Sequence, residues 1–387
     1  MDFSLRRIAS HYLLTQHGWL ARPLITVKVY SDLSHEIVAV EEYSPESLDA
    51  MAGVEFYGGV LCAGFVNAHS HIELSYLKGA ITEGEGFAAF AESIGRVRGN
   101  FSEEERLAAI VEADGVMWQE GVDAVGDVVN GATSFATKAT SPIHYHNFVE
   151  VFGLRECNLE RQRALLQYPN SSLTPHSTYS VQDLPFREVC GEDTENPLSI
   201  HFLESPAEAE LYRGCGRLHE WYKKVGFECD FLHYGSPAER IVASTPKGRK
   251  VLLVHNCEVT ERDVEIIASH FTAPVSWVLS PRSNNYISRI EPRSVELLRA
   301  RGVNICIGTD SLASNWSLSM VEELKMFCDI PLDELLRWAT INGAKALGIA
   351  DKYGSIEVGK RSGIVCLSGV DLERFALTPH TKARRVL

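Results

Sequence analysis

The chain has 387 residues, 45% apolar and 23% charged, a balance that suits a folded protein whose core is large enough to need no staples. Its formal net charge is -14 and its Lys and Arg residues form no tract, which argues against the positive surface that sequence-independent nucleic-acid binding requires. Nine scattered cysteines form no CxxC pair, the N-terminus lacks the apolar core of a signal peptide, and no apolar run approaches the ~18 residues of a membrane span, so a cytoplasmic protein with reduced thiols and no membrane partner is expected.

Residues 1–58 predict short strands at Arg7–Thr15, Leu24–Val29 and Glu36–Tyr43 with no helix between them. From Val60 the rhythm changes to β-rich runs alternating with helical stretches, the pattern of parallel βαβ units. Eight strands are predicted in this part: Val60–Ala68, Asp123–Val129, Ile143–Phe152, Ser171–His176, Pro197–Phe202, Lys250–His255, Pro274–Ser280 and Val303–Asp310. A helix from Glu103 to Glu120 is opened by a capping box, Ser102 with Glu105, and closed by Gly121. After Gly354 the chain is β-rich again, with Gly363–Leu367 as its clearest run. The expected architecture is α/β, a (β/α)8 barrel over residues 59–350 and a small β-sandwich domain formed by both termini, residues 1–58 and 351–387. Two unrelated terminal appendages are the alternative.

Chemistry concentrates at the predicted strand ends. In Asn67-Ala68-His69-Ser70-His71 the two histidines are two positions apart on a strand and point the same way, so they can share a metal. His201 and His255 close two further strands, and Asp310 closes the last. One such residue is more often a capping or hydrogen-bonding group. A set of them at the C-terminal strand ends, where the active face of a barrel lies, converges on one mouth. The spacing fits: 132 positions separate His69 from His201, about four repeats of ~31 residues, and a further 54 and 55 lead to His255 and Asp310.

These residues sit in motifs that resemble the amidohydrolase superfamily, nearest its chlorohydrolase/deaminase branch of triazine hydrolases and guanine and adenosylhomocysteine deaminases. The segments are Gly64–Ser75, Thr174-Pro175-His176-Ser177, His201-x-x-Glu204, Ser280–Asn284, Gly308–Asn315, Ala339–Gly348 and Gly354–Lys360, so the resemblance runs almost end to end. Within the branch, His71–Ser75 and Gly308–Asn315 look most like the aminodeoxyfutalosine deaminases. The resemblance implies one divalent metal, Zn2+ or Fe2+, on His69, His71, His201 and Asp310. It implies Glu204 as proton shuttle, His255 as the group that orients the attacking water, and Asp310 as a second proton acceptor. The implied reaction is hydrolytic deamination: metal-bound hydroxide adds to the amidine-like carbon of an amino-substituted heterocycle and ammonia leaves. The same scaffold also serves C–Cl or cyclic amide hydrolysis, and an inactive binding protein is the non-enzymatic alternative. No lysine closes Ser171–His176, so a bridging carboxylated lysine is unsupported.

Four residues are candidate substrate contacts, each with a plainer structural reading beside it: Glu73 (a salt bridge), His176 (a turn cap), Ser283 (loop shaping) and Trp316 (core packing). Arg155 and Arg282 are candidate anchors for anionic groups. The long stretch between His201 and His255 suggests a lid or an interface. The expected partner is a small molecule; self-association is left open.

Overall fold

The computed structural model describes residues 3–32, 34–43, 53–192 and 194–387. Seven strands from the two ends of the chain form one sheet. They are β1 (Phe3–Thr15), β2 (Gly18–Ala21), β3 (Pro23–Tyr30), β4 (His35–Glu42), β5 (Val54–Ala63), β14 (Ile364–Ser368) and β15 (Lys382–Arg385), in the order β15-β14-β5-β1-β3-β4 with β2 also on β1. The expected sandwich is thus, among the described residues, a single hydrogen-bonded sheet. Its continuity comes from the 13 residues of β1. That strand pairs β3 with its first half, β2 with its last four residues and β5 along the other edge, bending at a bulge between Ser10 and Tyr12.

The first strand expected of the α/β part, Val60–Ala68, is two strands. Val60–Ala63 ends β5 in the terminal sheet, and β6 (Phe65–Ser70) begins after Gly64. Val60–Ala63 and β6 are both buried throughout, so the apolar run is unbroken in sequence. Only Gly64 marks the break, because a Cβ there would collide with the Asp123 carboxylate.

Seven more parallel strands follow: β7 (Val122–Val129), β8 (His144–Val151), β9 (Ser171–Pro175), β10 (Leu198–Phe202), β11 (Val251–His255), β12 (Ser276–Leu279) and β13 (Asn304–Ile307). They pair as β6-β7-β8-β9 and β10-β11-β12-β13. Single bridges join Ser177 to His201 and Ser70 to Asp310, so the pairing order returns to where it began. These strands read as apolar runs because both faces are covered; all eight residues of β7 are buried. The capping box is present: Ser102 Oγ accepts from the Glu105 amide and Glu105 Oε2 from the Ser102 amide at 2.7 Å, so orphan donors at the helix start are satisfied.

The terminal sheet is tied to the parallel strands by a buried ion pair. Arg385 Nη2 donates to Asp123 Oδ1 at 2.9 Å and to the Val122 carbonyl at 2.9 Å, while its guanidinium lies 3.4 Å from the centre of the Trp118 ring. The Gly363 amide donates to Asp123 Oδ2 at 2.6 Å. Removing one member leaves the other charge buried and unpaired. Arg385→Met should therefore cost about 3–5 kcal/mol in urea unfolding, with part recovered in the Asp123→Leu/Arg385→Met double variant. An unchanged midpoint in Arg385→Met would show that the pair contributes nothing.

Candidate metal centre

The four residues expected to gather do so at the strand ends. The carbonyl of His69 accepts from the amides of both Thr309 and Asp310, at 3.0 and 3.1 Å, and Asn67 Nδ2 donates to Thr309 Oγ1 at 2.7 Å. These bonds lock the end of β6 onto the turn after β13. Gly308 is required there, since a Cβ would sit 2.8 Å from that of His69. His201 arrives on β10, with His71 Nε2 3.2 Å from His69 Nε2 and 3.3 Å from His201 Nε2. Asp310 Oδ1 lies 3.6 Å from His71 Nε2 and 3.9 Å from His69 Nε2.

The donor chemistry of this group fits a divalent cation. His201 Nδ1 stands 2.7 Å from the His176 carbonyl, so Nδ1 carries the proton and the Nε2 lone pair faces the cluster. Burial, then the neighbouring imidazoles, hold His69 well below its ordinary value. Burial likewise takes His71 down to about 3 and His201 to about 4. All three rings are therefore neutral donors. Asp310 Oδ2 accepts from Ser283 Oγ at 2.5 Å and Ser314 Oγ at 3.1 Å, which leaves Oδ1 turned to the imidazoles. Three imidazole nitrogens and a carboxylate oxygen match what Zn2+ accepts.

Two further groups flank the cluster. His255 Nδ1 is 2.9 Å from Asn284 Oδ1, so it donates there and leaves Nε2 bare, 3.8 Å from Glu204 Oε1. Glu204 is pushed up to about 7 by burial, and Tyr179 Oη donates to its Oε2 at 3.3 Å. Four strand-end residues near the cluster have left-handed backbones unusual for side-chain-bearing residues: Leu203 (φ 48°), His255 (φ 77°), Asn256 (φ 59°) and Asp310 (φ 57°). Such strain persists where surrounding bonds over-determine it, as the ties on Asp310 and His255 do here.

A cavity of about 820 Å³ opens over the cluster, lined by His71, His201, Glu204, His255 and Asp310 and, beside them, by Glu73 and His176. Glu73 accepts from the Asn130 and Gly131 amides at 2.9 and 3.3 Å and from Ser134 Oγ at 3.2 Å, so it holds the loop after β7. His176 is partly exposed, its Nδ1 2.8 Å from Ser180 Oγ. Ser283 and Trp316 do not line the cavity. Ser283 is fully buried under Asp310, whereas Trp316 is 40% exposed and donates through Nε1 to Glu83 at 2.9 Å. Arg155 and Arg282 lie elsewhere too: one packs on Phe227, the other on Trp316. The arginines that do line the cavity are Arg98, Arg106 and Arg161.

Glu150 and Tyr179 are missing from the sequence expectation, while Asn284, which the sequence places in the Ser280–Asn284 motif, is the residue that holds His255. Glu150 is the last residue but one of β8, as His201 is of β10, and could have been found by the strand-end argument that singled out His201. Tyr179 is placed by the long segment after His201, which forms helices Pro206–Tyr212, Gly216–Val225 and Pro237–Ser244. From there Tyr212 Oη donates to the Thr178 carbonyl at 2.8 Å and Tyr222 Oη to the Tyr179 carbonyl at 3.1 Å, while Arg240 donates to Val181 at 2.9 Å. The segment therefore braces the turn that carries Tyr179 and Ser180.

The fold and this donor set define the class: the amidohydrolase family model matches residues 60–383, and the chain belongs to that family. It is similar to the adenosine deaminase of Helicobacter pylori, 29% identical over 332 residues that cover 80% of this chain and 79% of that one. Among solved structures, the aminofutalosine deaminase of Helicobacter pylori in complex with methylthio-coformycin superposes with a TM-score of 0.81 at 25% identity, covering 99% of this chain and 100% of that one. An adenosine deaminase of Xanthomonas campestris with bound zinc shares the fold, with a TM-score of 0.73 at 22% identity over 96% of this chain and 85% of that one.

Glu208, one turn beyond Glu204, offers a test of how dry this region is. Burial pushes its carboxyl from 4.5 up to about 8, with Thr178 Oγ1 donating to it. The folded state thus holds the proton more tightly than the unfolded chain. Stability from this group is present below pH 4.5 and is lost as pH rises toward about 8. The unfolding free energy of wild type minus that of Glu208→Gln should fall by a few kcal/mol across that window. A pH-independent difference would mean that Glu208 is well solvated.

Proposed function

We propose that this protein is a metal-dependent hydrolytic deaminase of an amino-substituted heterocycle, of the adenosine or aminodeoxyfutalosine kind. The observation that carries this reading is the convergence of His69, His71 and His201 Nε2 with Asp310 Oδ1, beside a carboxyl group whose burial brings it near neutrality. The cyclic pairing order supports a (β/α)8 barrel, with the terminal sheet as a second, smaller domain divided from it at Gly64 rather than at residue 59. No helix among the described residues is long and apolar enough to cross a membrane, and all nine cysteines are unpaired, which supports a cytoplasmic location.

His69, His71, His201 and Asp310 would hold Zn2+, with Fe2+ the alternative. A cation there supplies Lewis acidity and makes water acidic enough to ionise near neutral pH. The protein's own groups then do the rest. Glu204, poised near neutrality, takes a proton from the attacking water and returns it to a ring nitrogen of the substrate. His255, held by Asn284, presents its bare Nε2 to the same water and orients it. Asp310 takes the second proton on its way to the departing amine, and ammonia leaves. His176 and Glu73 line the wall that a bound heterocycle would touch. Arg98 and Arg161 line the same cavity without a carboxylate partner among the described residues, in a chain of net charge -14, which supports a substrate with an acidic substituent.

Zinc-loaded protein should release ammonia from at least one member of a panel of aminopurines, adenosine-type nucleosides with neutral or acidic 5′ substituents, and aminotriazines, and the chelated protein from none. Silence from zinc-replete protein across the panel would overturn the deaminase reading. Glu204→Gln should keep its metal and lose roughly 10²–10⁴ in kcat, measured beside metal content; unchanged kcat would remove Glu204 from the reaction.

A further inference from the structure

A second buried carboxylate stands beside the metal donors and has no role in the chemistry above. Glu150 is the last residue but one of β8 and is 4% exposed. Asn130 Nδ2 donates to its Oε2 at 2.8 Å, but Oε1 is shielded from solvent and has no hydrogen-bond partner. Oε1 lies 3.9 Å from His176 Nε2, and ligand atoms of Glu150, His176 and His201 all fall within 4.8 Å of one another. A buried carboxylate oxygen without a donor is costly unless a positive charge nearby offsets it. Among the described residues, no Lys or Arg forms an ion pair with Glu150.

A second cation on Glu150, His176 and His201 does not account for this. That group and the His69–His71–His201 group share one imidazole. The Nδ1 of His201 is occupied by the His176 carbonyl, so only Nε2 can bind a metal, and it already faces His69 and His71. Burial pushes the Glu150 carboxyl above its ordinary value, and a cation on that shared face is the nearby positive charge that would hold it ionised.

We infer that Glu150 is a positioning residue for the metal, adding a second negative charge beside His201 that strengthens cation binding without ligating it. With Asp310, the site then opposes a divalent cation with two carboxylates, one ligating and one not. The inference rests on the metal reading of the previous section, and its test separates the two.

The experiment is zinc affinity by chelator competition on full-length wild type and on Glu150→Gln, with stoichiometry and secondary structure measured in parallel. The Gln oxygen keeps the Asn130 bond while the charge is lost. Wild type should bind one equivalent, and Glu150→Gln should bind one equivalent roughly 10–100-fold more weakly, the range for partners that act through a metal's ligands. Glu150→Leu, which removes charge and orphan oxygen together, is read in the same way should Gln prove unstable. Glu150→Asp, keeping the charge, should stay closer to wild type than either. Equal affinity in wild type and both neutral variants overturns the inference and leaves the metal reading intact. Two equivalents in wild type falling to one in the variants also overturns it, because Glu150 would then be a ligand. Wild type that binds no zinc overturns the metal reading and this inference with it.

Discussion

Three imidazole nitrogens meet here, His71 Nε2 standing 3.2 Å from His69 Nε2 and 3.3 Å from His201 Nε2, and three lone pairs turned inward would repel unless something positive lay between them. Much of the surrounding structure serves to hold that arrangement. The His69 carbonyl is clamped by two amides from the turn after β13, which brings Asp310 to the same point from a residue 241 positions away. His201 is oriented by a backbone carbonyl at the end of β9, so its tautomer is fixed by the register of the β9–β10 bridge. The donors are thus set by strand pairing, the stiffest element of the fold, and not by flexible loops.

Rigidity at the centre has a cost that appears in the backbone. Leu203, His255, Asn256 and Asp310 have positive φ angles, each at or just beyond a strand end. At His255 and Asp310 the ring or carboxylate is also tied from outside, by Asn284 and by the Ser283–Ser314 pair. These ties keep the strained residues from relaxing into the cavity. The helices between β10 and β11 do similar work at one remove, since they fix the turn bearing Tyr179 and hence one oxygen of Glu204.

Residues at the ends of parallel strands were legible in the sequence for a physical reason. A strand covered on both faces is an apolar run, so the polar residue that ends it stands out, as His201, His255 and Asp310 do. The same physics hid the boundary at Gly64, where the buried end of β5 abuts the buried β6 and the apolar run does not break. It also hid the unity of the terminal sheet, because one long strand, β1, pairs with partners distant in sequence. Ser283 stands out by its motif, but side-chain direction decides its role, and it faces Asp310 from beneath. Trp316 follows the Asp310 loop in sequence, yet the turn carries it to the surface beside Glu83. Tyr179 left no sequence signal, since its place depends on helices more than thirty residues away.

Burial alone does not assign the carboxylates of this region; their partners do. Glu73 has three donors on it and holds a loop. Glu208 has a hydroxyl donor and lies away from the cavity walls, so the proton it keeps has nowhere to go. Glu204 differs from both: one oxygen receives a single phenol, while the other stands 3.8 Å from the bare nitrogen of His255, so that a water molecule on the cavity side could bond to both. A carboxyl near neutrality with one oxygen free and facing the cavity can both accept and release a proton. That combination, more than burial or position in the motif, suits Glu204 to move protons and sets it apart from carboxylates that hold the site in place.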